Sequence, residues 1–345
     1  MHASPMGISV KMCGMPSFRE PMQPLLDAIA TLTLPVDAQR IFHGRGGLYP
    51  GCEHWTLDAF PPVFVLTSYL PTTEDTEQEL STIGAALAAR LQQLAPDEAL
   101  NWVFQCRSAA LRQQGKSETR LMAGSMPEPH TVTEQGALFR VQVMKGQNHG
   151  LFLDMAAGRR WVREHTAAHR DDRFGFKVLN LFAYTCAFSV VALQAGAKHV
   201  VNVDMGQGAM ATGQYNHQRN DLTNGASFLV HDIFSTWGKI NRGGPYNLVI
   251  VDPPSYQKGS FVATKDYARL VRRLPELLAP GGHALLCLNS PELGMAFLQD
   301  QMKELASGLE FVERVANPPA FADVSEERSL KVLVYRMPAS NSEPV

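Results

Sequence analysis

KVLNLF (177–182), HVVNVD (199–204), SFLVHD (227–232) and YNLVIVD (246–252) recur across residues 177–252 as short apolar runs with helix-compatible or turn segments between them. Continuous apolar runs of this length predict strands covered on both faces, and strands alternating with helices predict a parallel sheet. After the first run, Ala187 to Ala195 predicts a helix closed by Gly196, and Gln207 to Asp221 predicts a polar helix after the second. Pro253-Pro254 ends the fourth run, because proline cannot continue a ladder. A helix near Thr264 to Leu278 should stop at Pro280-Gly281-Gly282, with further strands at His283–Leu288 and Lys331–Arg336. Three of the strands end in aspartate: Asp204, Asp232 and Asp252. One such residue could simply cap the next helix. Three in one sheet mark a site, since ligands of open α/β sheets bind at the carboxyl ends of the strands.

The N-terminal part carries weaker signals. Phe64–Tyr69 and Trp102–Cys106 read as strands, and Ile83, Leu87, Leu91 and Leu94 repeat at helical spacing. Residues 117–131 are polar and proline-bearing, as in a linker, and Val132–Val143 predicts a hairpin turning at Gly136. The expected division is an accessory α/β (α+β) domain over 1–125, a hairpin connector over 126–155, and a doubly wound, mostly parallel α/β domain over 156–345.

The strand ends also indicate the cofactor. S-adenosylmethionine (SAM) needs close backbone approach after the first strand and a carboxylate for the ribose after the second. It needs a polar group near the adenine after the third, and a site facing the methyl after the fourth. Phe182-Ala183-Tyr184-Thr185, Asp204, Asp232 and Asp252-Pro253-Pro254 stand in that order. A nicotinamide dehydrogenase also uses an acid after the second strand, but it requires a glycine-rich first turn to admit a pyrophosphate. Residues 181–187 hold no glycine, which disfavours that rival.

These residues resemble the bacterial large-subunit ribosomal RNA methyltransferases that make 5-methylcytosine or 7-methylguanine, members of the Rossmann-like class I methyltransferases. The resemblance spans about Glu134 to Arg336. It rests on Glu134-x-Gly136, on Gly150-Leu-Phe-Leu-Asp154 with Arg159, and on Asn180-Leu-Phe-x-Tyr-Thr185. It continues through Val203-Asp204-Met205, Asn216 and Asn220, and Asp252-Pro-Pro-Ser-Tyr256. It implies that Phe152, Asp154 and Arg159 line the cofactor pocket with the strand ends, joined by Met205 and Ile233, and that 23S rRNA is the partner. The chain departs from the family pattern at Ala156, where an arginine is usual, at Cys186 for glycine, at Ser260 for lysine, and at Asn289 near the end of the fifth strand. By this reading, none of these motifs falls within residues 1–125.

Cytosine carbon 5 is a poor nucleophile that requires a cysteine thiolate. Cys287 lies two residues early for that role, one pleat repeat or roughly 6 to 7 Å back along the same face, and is expected to be a core residue. Asn289-Ser290 resembles the guanine-type members. The expected reaction is therefore methylation of a base nitrogen such as guanine N7 in preference to cytosine carbon 5. Asp252, Pro253 and Pro254 would act at the reacting centre, and Tyr256 would stack on an extruded base. The alternatives are a small-molecule or protein methyltransferase and a non-catalytic RNA-binding assembly factor.

Composition bounds the rest. With 345 residues, 45% apolar and 19% charged, the chain suits a globular protein. No apolar run reaches the roughly 18 residues of a membrane span, and the start lacks a signal-peptide pattern, so cytoplasmic residence is expected. Five scattered cysteines without a CxxC fit neither a disulfide framework nor a zinc site, and no metal is expected. The net charge of −2 exerts no global pull on nucleic acid. Arg140 to Lys177 is locally basic, with eight Lys or Arg against four Asp or Glu. His43-Gly-Arg45-Gly-Gly47 reads as a surface turn before a phosphate cradle, Trp55 and Phe60 as core before stacking platforms. Arg107, Arg112, Lys116 and Arg120 read as a solvated face before phosphate contacts. His149 and His231 stand beside cofactor motifs without a metal-ligand pattern.

Overall fold

The structure is a computed structural model that describes residues 22–339 apart from 115, 146–147, 172–173, 255 and 258–260. Ser255, Lys258 and Ser260 thus lie outside the described residues, as do the side chains of Arg112 and Tyr256.

The N-terminal half is built on a five-stranded sheet in sequential order, with β1 (Gln39–His43), β2 (Trp55–Phe60), β3 (Val63–Ser68), β4 (Asn101–Cys106) and β5 (Glu118–Ala123). Only β3 and β4 are parallel, because the connection between them is a long crossover helix. Helices α1 (Gln23–Thr31) and α2 (Glu74–Leu94) precede β1 and make that crossover, and the short α3 (Ala109–Gln113) leads into β5. Thr73 starts α2 with a reciprocal capping box on Thr76. Leu80, Ile83 and Leu87 of α2 and Leu25 and Ile29 of α1 are buried against one sheet face. Trp55 belongs to that core, at 1% exposure. A hairpin of β6 (Thr131–Glu134) and β7 (Ala137–Arg140) follows, turning at Gln135 and Gly136 with positive φ.

The C-terminal half runs α4 (Ala156–His169), β8 (Lys177–Leu181), α5 (Ala187–Gln194), β9 (His199–Asp204), α6 (Gln207–Arg219), β10 (Ala226–Val230), α7 (Trp237–Gly243) and β11 (Tyr246–Val251). After it come the β12 (Tyr256–Gln257) and β13 (Phe261–Val262) ribbon, α8 (Ala263–Val271), α9 (Leu274–Leu277), β14 (Leu278–Leu288), α10 (Met295–Leu305), β15 (Glu310–Arg314) and β16 (Lys331–Arg336). The seven strands order as β10-β9-β8-β11-β14-β16-β15, the first five parallel and β16 antiparallel to both its neighbours. The order reverses between β8 and β11, so a crevice opens above their carboxyl ends.

Alternation along the strands explains the two core faces. Val178, Val200, Leu248, Ile250 and Leu285 face one core; Leu179, Val201, Val249, Val251 and Leu286 face the other. The first core also holds Phe60, Val63, Val65 and Val103 of the N-terminal sheet and Phe139 of the hairpin. The two sheets therefore share one apolar interior. One expectation changes here: β14 begins at Leu278, not His283, and runs through Pro280-Gly281-Gly282. Leu278 already pairs with Tyr246, and an irregularity in the β11 register accommodates the proline near the strand start.

Candidate cofactor and substrate site

Above β8 the chain turns through Phe182, Tyr184 and Cys186 with φ of 58°, 48° and 60°. Three non-glycine residues in the left-handed region cost on the order of 1 kcal/mol each, so surrounding contacts must impose the shape. Those contacts are present. Tyr184 N donates to Asp204 Oδ2 at 2.9 Å, Ala183 N to the Val203 carbonyl at 3.1 Å, and Thr185 Oγ1 to the Gly150 carbonyl at 2.6 Å. Cys186, where the family has glycine, is fully buried; a Cβ on Gly213 would stand 2.5 Å from its sulfur. The bare helix surface at Gly213 makes room for the thiol that replaces the usual glycine.

Asp204 closes β9. Its Oδ1 accepts from Gly206 N at 2.7 Å, so each oxygen holds one backbone N–H. A carboxylate offers about four lone-pair directions, which leaves capacity for two hydroxyl donors. Asp232, exposed at the end of β10, accepts from Phe234 N at 3.1 Å and so also caps the turn that buries Ile233. Asp252 follows β11. Burial, with the nearby Asp154 carboxyl, raises its pKa to about 7. The Cys287 thiol donates to it, and burial followed by the Asp252 charge pushes that thiol well above the usual range. Cys287 is 1% exposed on β14, as expected of a core residue.

The GLFLD segment lies across the mouth of this crevice. Phe152 is exposed, with its ring centroid 5.3 Å from that of Tyr184. Burial raises the pKa of Asp154, against the pull of Arg40 and Arg159. Arg159 does more than line the pocket. It makes a buried bidentate pair with Glu134 at 2.7 and 2.6 Å and donates to the Phe152 carbonyl at 2.8 Å. The Glu134-x-Gly136 motif is thereby explained: its acid anchors the arginine that holds the segment. Asn216 of α6 and Asn220, which caps its end, do the same for the hairpin, accepting from Arg140 N and Leu138 N at 2.8 and 2.9 Å.

Together these groups enclose a cavity of about 640 Å³, within the range of sites for drug-sized ligands. Phe152, Asp154 and Arg159, Phe182 to Thr185, Asp204, Met205, Asp232, Ile233 and Asp252 to Pro254 all line it. Tyr256 is placed only by its strand, pairing with Val262.

A second cavity of about 280 Å³ adjoins the first and shares Phe152, Asp154 and Asn289 with it. Its other wall is the N-terminal sheet. The Gly44–Gly47 turn, read from sequence as a surface turn, is instead pressed against the C-terminal half: Val324 N donates to the Gly46 carbonyl at 2.8 Å, and a Cβ on Gly46 would meet the Ala322 carbonyl oxygen at 2.1 Å. Arg107 reaches this cavity, whereas Arg120 pairs with Glu77 and the exposed Lys116 does not line it, so the expected arginine face is not one surface. His149 lines it too, and His231 lies 2.7 Å from Lys239. Among the described residues no His, Cys, Asp and Glu group could hold a metal, and no helix is long and apolar enough to cross a membrane.

Comparison with known proteins identifies the chemistry of the chain. The chain is 28% identical to ribosomal RNA large subunit methyltransferase I of Aeromonas salmonicida over 302 residues, covering 83% of this chain and 72% of that protein. It is 36% identical over 186 residues to the K/L enzyme of a Psychrobacter species, covering 52% of this chain but 21% of that one. In fold it is similar to SMU.776, crystallised with SAH (TM-score 0.71, 24% identity, 91% of this chain and 79% of that one). It is also similar to a SAM-dependent methyltransferase from Agrobacterium tumefaciens (TM-score 0.61, 18% identity, 89% and 92%). These relatives correct one expectation. Those that run along most of the chain are named ribosomal RNA large subunit methyltransferase I and stand on the 5-methylcytosine side of the resemblance, so the preference for a guanine nitrogen over cytosine carbon 5 falls. Asn289 sits where the two cavities meet, and its side-chain type does not by itself select the acceptor. The model of the S-adenosylmethionine-dependent methyltransferase family matches residues 39–336, and the chain belongs to that family, a class I enzyme that uses SAM as its cofactor.

Proposed function

We propose that the protein methylates a base of 23S ribosomal RNA, as relatives named for the large subunit's ribosomal RNA support, and that it does so in the cytoplasm. The observation that carries this reading is the ordered set of strand-end groups around one large cavity, beside a second cavity rich in arginine. In this reading Asp204 takes the two ribose hydroxyls with its remaining lone pairs. Asp232 and Ile233 meet the adenine, and the strained turn of Phe182 to Thr185 brings backbone close to the methionine part. Phe152, Met205, Asp154 and Arg159 close the pocket. When bound, SAM supplies a methyl group activated by its sulfonium, and the protein's task is to align the acceptor in line with it. Asp252, Pro253 and Pro254 border that acceptor, with Tyr256 stacking on the base. Asp252, with a pKa near 7, can take up a proton at neutral pH. Residues 156–345 form the SAM domain in this scheme, 126–155 the connector and 1–125 the accessory domain.

The test is transfer of tritiated methyl from SAM to rRNA of a strain lacking the protein, followed by mass spectrometry of the nucleosides. Label in one nucleoside of 23S rRNA is the expected result. Label only in protein or small molecules would overturn the reading.

A further inference from the structure

The smaller cavity is walled by two parts of the chain that lie far apart in sequence. Arg40 lies on β1, Arg45 on the glycine-rich turn, and Arg107 follows β4; Asn289 faces them from beyond β14. The charges are unequal in their compensation. Arg40 is neutralised by Asp58 through contacts of 2.6 and 3.0 Å. Arg107 is held by Gln105 Oε1 at 2.6 Å, His149 Nε2 at 3.0 Å and the Tyr69 hydroxyl; Asp58 attracts it, but among the described residues no carboxylate is ion-paired with it. Burial lowers its pKa, which is what an under-compensated cation shows. Arg45 is exposed and lies over the Tyr69 ring, 4.2 Å from its centroid. The two histidines add no charge. Burial and then the neighbouring arginines hold His43 and His149 at about 3, so both stay neutral acceptors that orient guanidinium groups.

A half-buried arginine oriented by neutral acceptors, beside a second one on a turn, is arranged for an anion that arrives with the ligand. The cavity is too small for a duplex but opens onto the cofactor cavity through Phe152 and Asn289. We propose that this cavity binds the phosphate of the nucleotide being methylated, with Arg107 and Arg45 on its oxygens, so that the extruded base passes between Phe152 and Asn289 toward the methyl donor. The inference rests on the rRNA reading and gives the N-terminal sheet its task. That sheet supplies the phosphate anchor while the catalytic sheet supplies the chemistry. Arg107 and Arg45 are positioning residues, and they should affect RNA binding without touching the cofactor.

The experiment measures affinity of the SAH-bound full-length protein for a short single-stranded RNA by fluorescence anisotropy, across a salt series. Arg107→Gln, Arg45→Gln and the control Lys303→Gln, which lines neither cavity, are compared with wild type, and thermal unfolding checks each fold. Each arginine variant should bind RNA about tenfold more weakly. Each should also flatten the log–log salt slope by about 0.7, the value for one phosphate contact on a single strand. KM for rRNA should rise more than kcat falls, SAH affinity should stay level, and Lys303→Gln should match wild type. Should Arg107→Gln unfold, Arg45→Gln on the exposed turn decides the matter. Wild-type affinity and slope in the arginine variants would overturn the proposal alone, with rRNA methylation by the wild type left standing. Wild-type protein that neither binds nor methylates RNA would overturn the rRNA reading, and this proposal with it.

Discussion

The two cavities meet at Phe152, Asp154 and Asn289, yet they are built on opposite electrostatic plans. The larger one gathers Asp154, Asp204, Asp232 and Asp252, and the one arginine that lines it among the described residues, Arg159, is already committed to Glu134. The smaller one gathers Arg40, Arg45, Arg107 and Arg328 against Asp58, Asp154 and Asp323, and among the described residues Arg40 alone of these arginines is ion-paired, at 2.6 Å to Asp58. A cofactor carrying a sulfonium cation suits the first, and a polyanion suits the second. In the proposed scheme, juxtaposing them would place a cationic methyl donor and an anionic polymer on adjoining surfaces without either competing for the other's site. Their mechanics differ too. The acidic cavity is framed by strand ends and a strained turn, whereas the basic one lies where two sheets are pressed together.

The largest expected effect breaks the frame of the acidic cavity. Arg159→Met leaves Glu134 as an unpaired buried carboxylate, and loss of one partner of such a pair costs about 3–5 kcal/mol. Urea unfolding should show that loss, and adding Glu134→Gln should recover part of it. No recovery would mean that Arg159 acts through packing, not through the pair.

A smaller effect follows from Asp252. Its folded-state pKa of about 7 lies above the ordinary carboxylate value, so between about pH 4 and 7 the folded state keeps a proton that the unfolded state releases. Stability of the wild type should therefore fall as pH rises through that window, by at most about 1.4 kcal/mol per pH unit. Asp252→Asn removes the carboxyl and should flatten this slope, so that its melting temperature gains on wild type from pH 5 to pH 8. Equal slopes would show that Asp252 is solvated enough to titrate normally.

The smallest effect concerns the turn itself. Cys186→Gly relieves a left-handed residue but removes the thiol packed on Gly213 and Met210. The two changes oppose, and the net shift in stability should stay within about 1 kcal/mol. A loss of several kcal/mol would mean that the thiol contact dominates.

The acidic cavity and the basic one also differed in how far they could be read from residues alone. Strands such as YNLVIVD announce themselves because a parallel sheet buried on both faces needs unbroken apolar runs, and the acids at their ends are local in sequence. The turn of Phe182 to Cys186 was recognisable as a site, but its three positive φ values were not, since no glycine marks them. The basic cavity is a product of tertiary structure. Arg45, Arg107 and Asn289 come together only because Phe60, Val63 and Val103 share a core with Val178 and Leu285, a long-range fact that no periodicity encodes. The glycine-rich turn misled for the same reason: in sequence nothing shows that Ala322 and Val324 will close over Gly46 and Gly47. Glu134, Asn216 and Asn220 stood out as motif residues, while their tasks as anchors of Arg159 and the hairpin required the fold.

The division of labour between the cavities is tested most directly by titrating SAH into wild type, Asp204→Ala and Arg107→Gln in a calorimeter. Loss of a charged acceptor for two ribose hydroxyls should weaken SAH binding about a hundredfold in Asp204→Ala, while Arg107→Gln binds as wild type does. Unchanged affinity in Asp204→Ala, or an equal loss in both variants, would contradict the account.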